Sequence, residues 1–266
     1  MKKLFLALLM IGQFYFCSGA FEVQMINPEN TSCANIVSLW PGGLNFATIM
    51  KAPGVNFRIA YTNLYGLQEL SYQAFNITWN RKNNYGFGCR VNTFGDKLYR
   101  ESLIATGYTK SIYNRIHVSL GLSYYLIDIQ NSYKTWSIVA DLGGLFEITP
   151  NITASILYKN INNGHLKVSH EPLPKIFASG ISWQVNKSIE LGAEIYKDIL
   201  FPFSTKFGAK INIFSHVKIN SGVQFDPNRY SLGFSFYWKN FEINTGYRTH
   251  LNLPSTLHFG CHISIK

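Results

Sequence analysis

The chain is 266 residues long, and its composition differs from that of a typical soluble domain. Charged residues make up 14% of it, against roughly 25% in average soluble domains, while aromatic residues reach 15%. The formal net charge is +10, but the basic residues are scattered and form no run or helical stripe. This pattern argues against nucleic acid as a partner, and it favours a protein whose surface meets lipid.

The first twenty residues have the pattern of a secretory signal peptide. Two lysines at positions 2 and 3 precede an apolar run over 4–11, and Ser18-Gly19-Ala20 resembles a small-residue cleavage site. We predict that residues 1–20 are removed and that the mature chain begins at Phe21. A lipoprotein anchored at Cys17 is the alternative, but bulky aromatic residues stand directly before that cysteine.

Residues 21–55 show no alternation of apolar and polar residues. They include the segment Trp40-Pro41-Gly42-Gly43-Leu44 and, shortly after it, Phe46. A segment of this length cannot hold a hydrophobic core of its own. We therefore interpret it as a short plug inside the mouth of a barrel formed by residues 56–266, with Pro41, Gly42, Gly43, Leu44 and Phe46 as its central residues.

From Asn56 onward, apolar residues alternate with polar residues or glycine in segment after segment. In the clearest case every even position over 116–124 is apolar and every odd position is small or polar. Such segments are typical of strands with one apolar and one polar face. We predict strands over 56–65, 69–80, 84–95, 98–109, 114–129, 133–148, 151–160, 175–185, 188–198, 203–214, 216–225, 229–238, 241–249 and 255–265.

Strand length and the connections favour a membrane barrel. About 9–11 tilted residues cross a bilayer, and the chain after the signal lacks the run of about 18 apolar residues that a spanning helix needs. Every even-numbered strand is followed by a tight turn, as expected for the periplasmic side of an outer-membrane barrel. The predicted fold is all-β: a transmembrane, antiparallel, up-and-down barrel of about fourteen strands with a short N-terminal plug.

The polar phase of these strands carries charges of both signs. Acidic strand 188–198 precedes basic strands 203–214 and 216–225, so cross-strand ion pairs that fill a narrow lumen are one interpretation. A polar conduit or docking cavity is the functional alternative. The residues predicted to face the lumen are Arg58, Arg90, Arg115, His117, Asp141, Glu147, Glu190, Glu194, Lys206, Lys210, Lys218, Glu242, Arg248, His258 and His262.

Metal and enzymatic chemistry find little support in the sequence. His258 and His262 share a strand face but lie about 13 Å apart along it, too far for one metal ion. Cys33, Cys89 and Cys261 match no zinc motif, and a disulfide from Cys33 to either of the others stays open. No nucleophile motif is present, so we predict no catalytic residue and no cofactor.

Several segments resemble a known family. Cys33-Ala34-Asn35 and the segment from Trp40 to Ala47 resemble the signature at the start of the PorV/PorQ proteins and their FadL-type relatives. The segments 61–66, 140–146 and 241–264 are similar to the first strand, a mid-barrel strand and the last hairpin of that family. The resemblance implies a fourteen-strand barrel with an N-terminal plug.

Three functional hypotheses follow, all with outer-membrane lipid as a partner. A PorV/PorQ-like protein would serve type IX-like protein secretion or envelope assembly and would bind secretion proteins and their cargo. A FadL-like protein would carry hydrophobic ligands across the outer membrane, and it would require a lateral opening or an apolar pocket near the plug, lined by Phe46, Ile49 and Met50. A barrel enzyme is the third hypothesis.

Overall fold

The computed structural model describes residues 20–23, 27–81 and 84–265. The predicted signal peptide lies outside the described residues, except for Ala20. Within the described ranges, no helix is long and apolar enough to cross a membrane.

The chain forms fourteen strands in sequence order, and most predicted bounds lie within two residues of the observed ones. The strands are β1 (Gly54–Asn63), β2 (Ser71–Arg81), β3 (Tyr85–Gly95), β4 (Tyr99–Tyr113), β5 (Ile116–Ile129), β6 (Lys134–Thr149), β7 (Ile152–Tyr158), β8 (Ile176–Gln184), β9 (Ile189–Asp198), β10 (Ser204–Phe214), β11 (Val217–Phe225), β12 (Arg229–Trp238), β13 (Phe241–Arg248) and β14 (Thr256–Ile265).

These strands form one closed, antiparallel barrel in which each strand pairs with its neighbours in sequence. β1 closes the sheet by pairing with β14, from Val55 opposite Ile265 to Thr62 opposite His258. Closure leaves no unpaired strand edge, which is the arrangement that an apolar solvent requires. The predicted fold class is confirmed.

The alternation of the sequence separates the two faces of the barrel wall. On β5, Leu120 and Leu122 are each 59% exposed on the outside of the barrel. Ser119, Ser123 and Tyr125 face the lumen and are buried. The same pattern holds around the barrel, so the outer face is apolar and the inner face is mostly polar, as in barrels that sit in lipid.

The two ends of the barrel differ in their connections. At one end, called the turn end, tight reversals follow the even-numbered strands. At the other, called the loop end, the connections are generally longer, and the largest covers residues 159–175 between β7 and β8. Leu166 and Leu173 of that loop are buried with Phe21, so the loop folds inward over the lumen.

The segment 27–53 lies inside the barrel and is called the plug below. It contains a one-turn helix, α1 (Pro28–Thr31), and a 3-10 helix over Phe46–Lys51, which begin after the side-chain caps Asn27 and Asn45. The ring of Phe46 lies on glycines of β4 and β5: a Cβ at Gly107 would come within 2.2 Å of it. The small residues of the wall therefore make room for the aromatic side chain of the plug.

Candidate functional site: two cavities separated by the plug

The carboxylate of Glu194, only 1% exposed, holds the plug to the wall at mid-lumen. It accepts hydrogen bonds from the backbone N–H of Val37 and Ser38, and from the Ser38 hydroxyl at 2.7 Å. Lys206 on β10 lies 3.0 Å from Glu194 and also donates to the carbonyl of Asn35. The cross-strand ion pair expected between these strands is present, and it anchors the plug as well.

A second group of charges anchors α1. Glu29 of this helix lies 2.8 Å from both Lys210 on β10 and Lys218 on β11. Lys218 is also 3.7 Å from Glu242, which in turn contacts His262 at 3.1 Å. The plug therefore supplies an acidic group to a cluster of basic wall residues.

Two further predicted lumen residues bind the plug directly. Glu190 accepts a hydrogen bond from the indole N–H of Trp40 at 2.8 Å. Arg90 donates to the carbonyl of Gly43, and its guanidinium lies 5.3 Å from the centre of the Phe46 ring. Among the predicted plug residues, Pro41 lines the turn-end cavity described below, and Leu44 packs against apolar residues of β7 and β8.

Other predicted residues fix neighbouring parts of the wall. Asp141 lies 2.9 Å from Lys159 and accepts from the backbone N–H of Asn160, so it holds the start of the β7–β8 loop. His117, 2% exposed, lies 3.5 Å from Glu147 on β6.

Three basic residues lie in the lumen outside these clusters, and one lies elsewhere. Arg58 borders the turn end of the plug, Arg248 donates to Gln224 on β11, and His258 is buried on β14. Arg115 was predicted to face the lumen, but this prediction is wrong. The residue stands exposed in the turn between β4 and β5, because β5 begins only at Ile116.

A cavity of about 920 Å³ lies at the loop end of the barrel, in the size range of small-molecule pockets. Its walls come from residues 20–23, from strand ends, and from the loops after β1, β5, β7 and β9. Most of the lining is apolar or aromatic: Val23, Leu64, Leu70, Phe94, Ile127, Ile129, Tyr133, Pro172, Ile199, Leu200 and Phe201.

The charged groups of this cavity are all acidic. Glu22, Glu101 and Glu171 line it, and no lysine, arginine or histidine does so among the described residues. Glu101 is 6% exposed and accepts hydrogen bonds from the Tyr99 hydroxyl at 2.8 Å and from the backbone nitrogen of Phe21 at 2.9 Å. The cavity is thus apolar with a negative electrostatic bias.

A second cavity, of about 770 Å³, lies at the turn end on the other side of the plug. Its lining is polar and carries both charge signs: Glu29, Lys51, Arg58, Glu147, Lys187, Glu190, Lys210, Lys218, Glu242 and His262. Between the cavities, the plug residues Cys33, Ile36, Leu39 and Trp40 are at most 1% exposed and fill the lumen.

The apolar pocket lies away from the place that the sequence suggested. Phe46 and Ile49 are buried against β3, β4 and β5, and neither they nor Met50 line either of the two large cavities. Glu101 and Ile127 fall on the inward phase of their strands, so the alternation could have identified them. Leu200 and Phe201 belong to a loop, and no sequence pattern places them at the cavity.

The three cysteines within the described residues, Cys33, Cys89 and Cys261, form no disulfide. Cys33 is buried in the plug, where burial raises the pKa of its thiol to about 12. Cys89 and Cys261 lie on the outer phase of β3 and β14, next to apolar residues of the neighbouring strands.

Comparison with solved structures identifies barrels of the same fold. The CymD monoaromatic hydrocarbon channel is 12% identical, with a TM-score of 0.69 over 92% of this chain and 99% of that one. The Pseudomonas putida toluene transporter TodX is 9% identical, with a TM-score of 0.63 over 90% of this chain and 97% of that one. A Pseudomonas aeruginosa FadL homologue is 10% identical, with a TM-score of 0.60 over 91% and 99%.

At these identities the likeness establishes the fold alone. No protein-family model matches the sequence, and no curated protein matches it.

Proposed function

We propose that this chain is an outer-membrane channel protein that takes up neutral hydrophobic small molecules through the loop-end cavity. The observation that carries this proposal is the apolar cavity of about 920 Å³ on the side of the longer connections, above a plug that fills the lumen. The predicted signal peptide and the apolar outer wall of the barrel both fit a protein of the outer membrane. CymD and TodX, which share the fold, are described as a hydrocarbon channel and a toluene transporter.

The acidic residues of the loop-end cavity favour neutral ligands over negatively charged ones. A carboxylate-bearing amphiphile would meet Glu22 and Glu171, and the described lining offers it no basic side chain. Juxtaposed like charges disfavour binding by several kcal/mol. Neutral compounds, aromatic or aliphatic, avoid this repulsion and can use the apolar wall.

The transporter hypothesis therefore takes precedence over the other two. Nothing in the comparisons supports the PorV/PorQ-like secretion hypothesis. The barrel-enzyme hypothesis would require a serine–histidine pair, and neither residue type lines the loop-end cavity among the described residues.

Uptake by cells with an intact outer membrane tests the proposal. Cells that produce the protein should take up radiolabelled toluene faster than cells that lack it, and 4-methylbenzoate should show no such gain. Filling the cavity with Leu70→Trp and Ile129→Trp together should abolish the gain, because both residues line it. The control Leu251→Trp lies on an exposed loop and should leave uptake unchanged.

Equal uptake of toluene with and without the protein would contradict the proposal. An equal gain for 4-methylbenzoate would contradict its charge selectivity.

A further inference from the structure

We infer that the carboxylate of Glu101 is the binding site for the N-terminal ammonium group that signal-peptide cleavage creates at Phe21. This inference concerns the processed chain itself and is independent of any transported ligand. Three separate features of the described residues carry it.

The first feature is the position of the Phe21 nitrogen. It lies 2.9 Å from Oε1 of Glu101, in a region that the rest of the chain buries. Cleavage after Ala20, the site that the sequence predicts, turns this amide nitrogen into an ammonium group with three donors. The hydrogen bond then becomes a charge-assisted one, which is shorter and stronger than a neutral one.

The second feature is the absence of another counter-charge among the described residues that line the cavity. Glu22, Glu101 and Glu171 line it without a basic side chain. Lys159, whose ammonium group lies 5.4 Å from the Tyr125 ring, is bound by Asp141. Because a buried carboxylate without a counter-charge is costly even when it is hydrogen-bonded, we assign the α-ammonium group as the counter-charge of Glu101.

The third feature is the backbone of Phe21, whose φ is +64°. This left-handed conformation is strained for a bulky residue, because the preceding carbonyl crowds its side chain. Cutting the Ala20–Phe21 bond removes that carbonyl, so the mature residue keeps its position without the strain. Ala20 lines the loop-end cavity, and its removal enlarges the space beside the new terminus.

The side chain of Phe21 positions the terminus. It is 3% exposed, packs edge-to-face on Tyr125 with ring centres 4.7 Å apart, and contacts a cluster that includes Leu166 and Leu173 of the β7–β8 loop. The bound N-terminus therefore joins β4, β5 and the largest loop. Cleavage by the signal peptidase completes this junction after export.

The reactivity of the α-amine tests the inference. The mature chain is folded in detergent, its starting residue is determined by mass spectrometry, and acylation of the N-terminal peptide is followed at pH 7. Only the unprotonated amine reacts, and the ordinary pKa of an α-amino group is about 7.7–8.0. Pairing with Glu101 raises it, and each unit of increase slows acylation about tenfold.

We expect Glu101→Gln to speed acylation about tenfold or more, because it keeps the shape but removes the charge. The matched control Glu171→Gln removes a carboxylate from the same cavity and should change the rate less than about threefold. Folding of each variant is verified by the shift in gel mobility on heating.

A chain that carries an N-acetyl group on Phe21 provides a second test, which does not depend on the Glu101 variants. Acetylation removes the ammonium charge, and we expect protease to cut the 159–175 loop faster than in the free-amine chain. A mature start other than Phe21, equal acylation rates in the wild type and Glu101→Gln, or equal protease rates with and without the acetyl group would each overturn the inference.

Discussion

Single buried charges determine how firmly the plug is held. Glu194 accepts three hydrogen bonds from Val37 and Ser38 and forms an ion pair with Lys206. Replacing it with alanine leaves the Lys206 ammonium group buried without its carboxylate partner, with only the Asn35 carbonyl as acceptor. Removing one member of a buried pair typically costs about 3–5 kcal/mol.

We therefore expect Glu194→Ala to lower the free energy of unfolding by about 3–5 kcal/mol, measured by urea titration in detergent. The control Glu69→Ala changes an exposed residue of the β1–β2 connection and should stay within about 0.5 kcal/mol. Equal effects of the two substitutions would show that the plug does not depend on this carboxylate.

A histidine at the loop end makes the stability of the folded barrel depend on pH. His250 packs edge-to-face on Tyr65, and burial together with the positive charges of Arg229 and Arg248 lowers its pKa to about 4. The unfolded chain takes up this proton near pH 6.5, well above the folded one. The stabilising contribution of neutral His250 is therefore complete above about pH 6.5 and is lost as the pH falls toward 4.

Melting temperatures recorded from pH 7.5 to pH 4 measure this contribution. We expect the decline with falling pH to be shallower in His250→Gln than in the wild type, since glutamine does not titrate. His216→Gln, on an exposed turn at the opposite end, is the control and should follow the wild-type profile. Parallel profiles for the wild type and His250→Gln would contradict the assignment.

At this scale the sequence predicted some contacts and missed others for physical reasons. The Glu194–Lys206 pair follows from strand adjacency and alternation alone. The partners of Lys210 and Glu190 do not follow from strand adjacency. The plug brings Glu29 and Trp40 into the lumen, and these two residues replace the direct Lys210–Glu190 pair that adjacency would give. A segment without regular alternation gives no signal for such contacts.

The alternation of apolar and polar residues predicts the bounds of some strands correctly and misses the bounds of others. The predicted β12 has the observed bounds, whereas β4 was predicted to end at 109 and continues to Tyr113. The pairing of β4 with β5 shifts register between Ser111 and Tyr113, and this irregularity breaks the alternation on which the prediction relied.

The cost of a charged residue on the outer face of a strand depends on how deep that residue lies in the membrane. Leu122 near the middle of β5 and Ile112 near the turn end of β4 are both 59% exposed on the barrel surface. Arginine on the lipid face of a barrel costs about 2–4 kcal/mol at mid-membrane and about 0–1 kcal/mol near the interface. We expect Leu122→Arg and Ile112→Arg to differ accordingly in unfolding measurements in lipid vesicles.

The equal exposure of these two leucine-sized residues makes them a matched pair. Equal costs for the two substitutions would mean that the wall does not cross an apolar layer at β5.

For the whole molecule, the strand count and the difference between the two ends follow from the sequence, because each strand pairs with its neighbours along the chain. The position of the apolar cavity could not be predicted. It is bounded by Val23 of the N-terminal segment and by loop residues such as Pro172 and Leu200, which meet only when the barrel closes. The resemblance noted in the sequence implied the correct barrel and plug, while its secretion function finds no support.

We propose that this chain forms a closed barrel in the outer membrane. Fractionation of cells that produce the full chain, with gel mobility compared before and after boiling, tests it most directly. We predict that the mature protein is found in the outer-membrane fraction and that its band shifts on heating, since a closed barrel resists detergent until it is boiled. Soluble protein whose mobility does not change on heating would contradict the account.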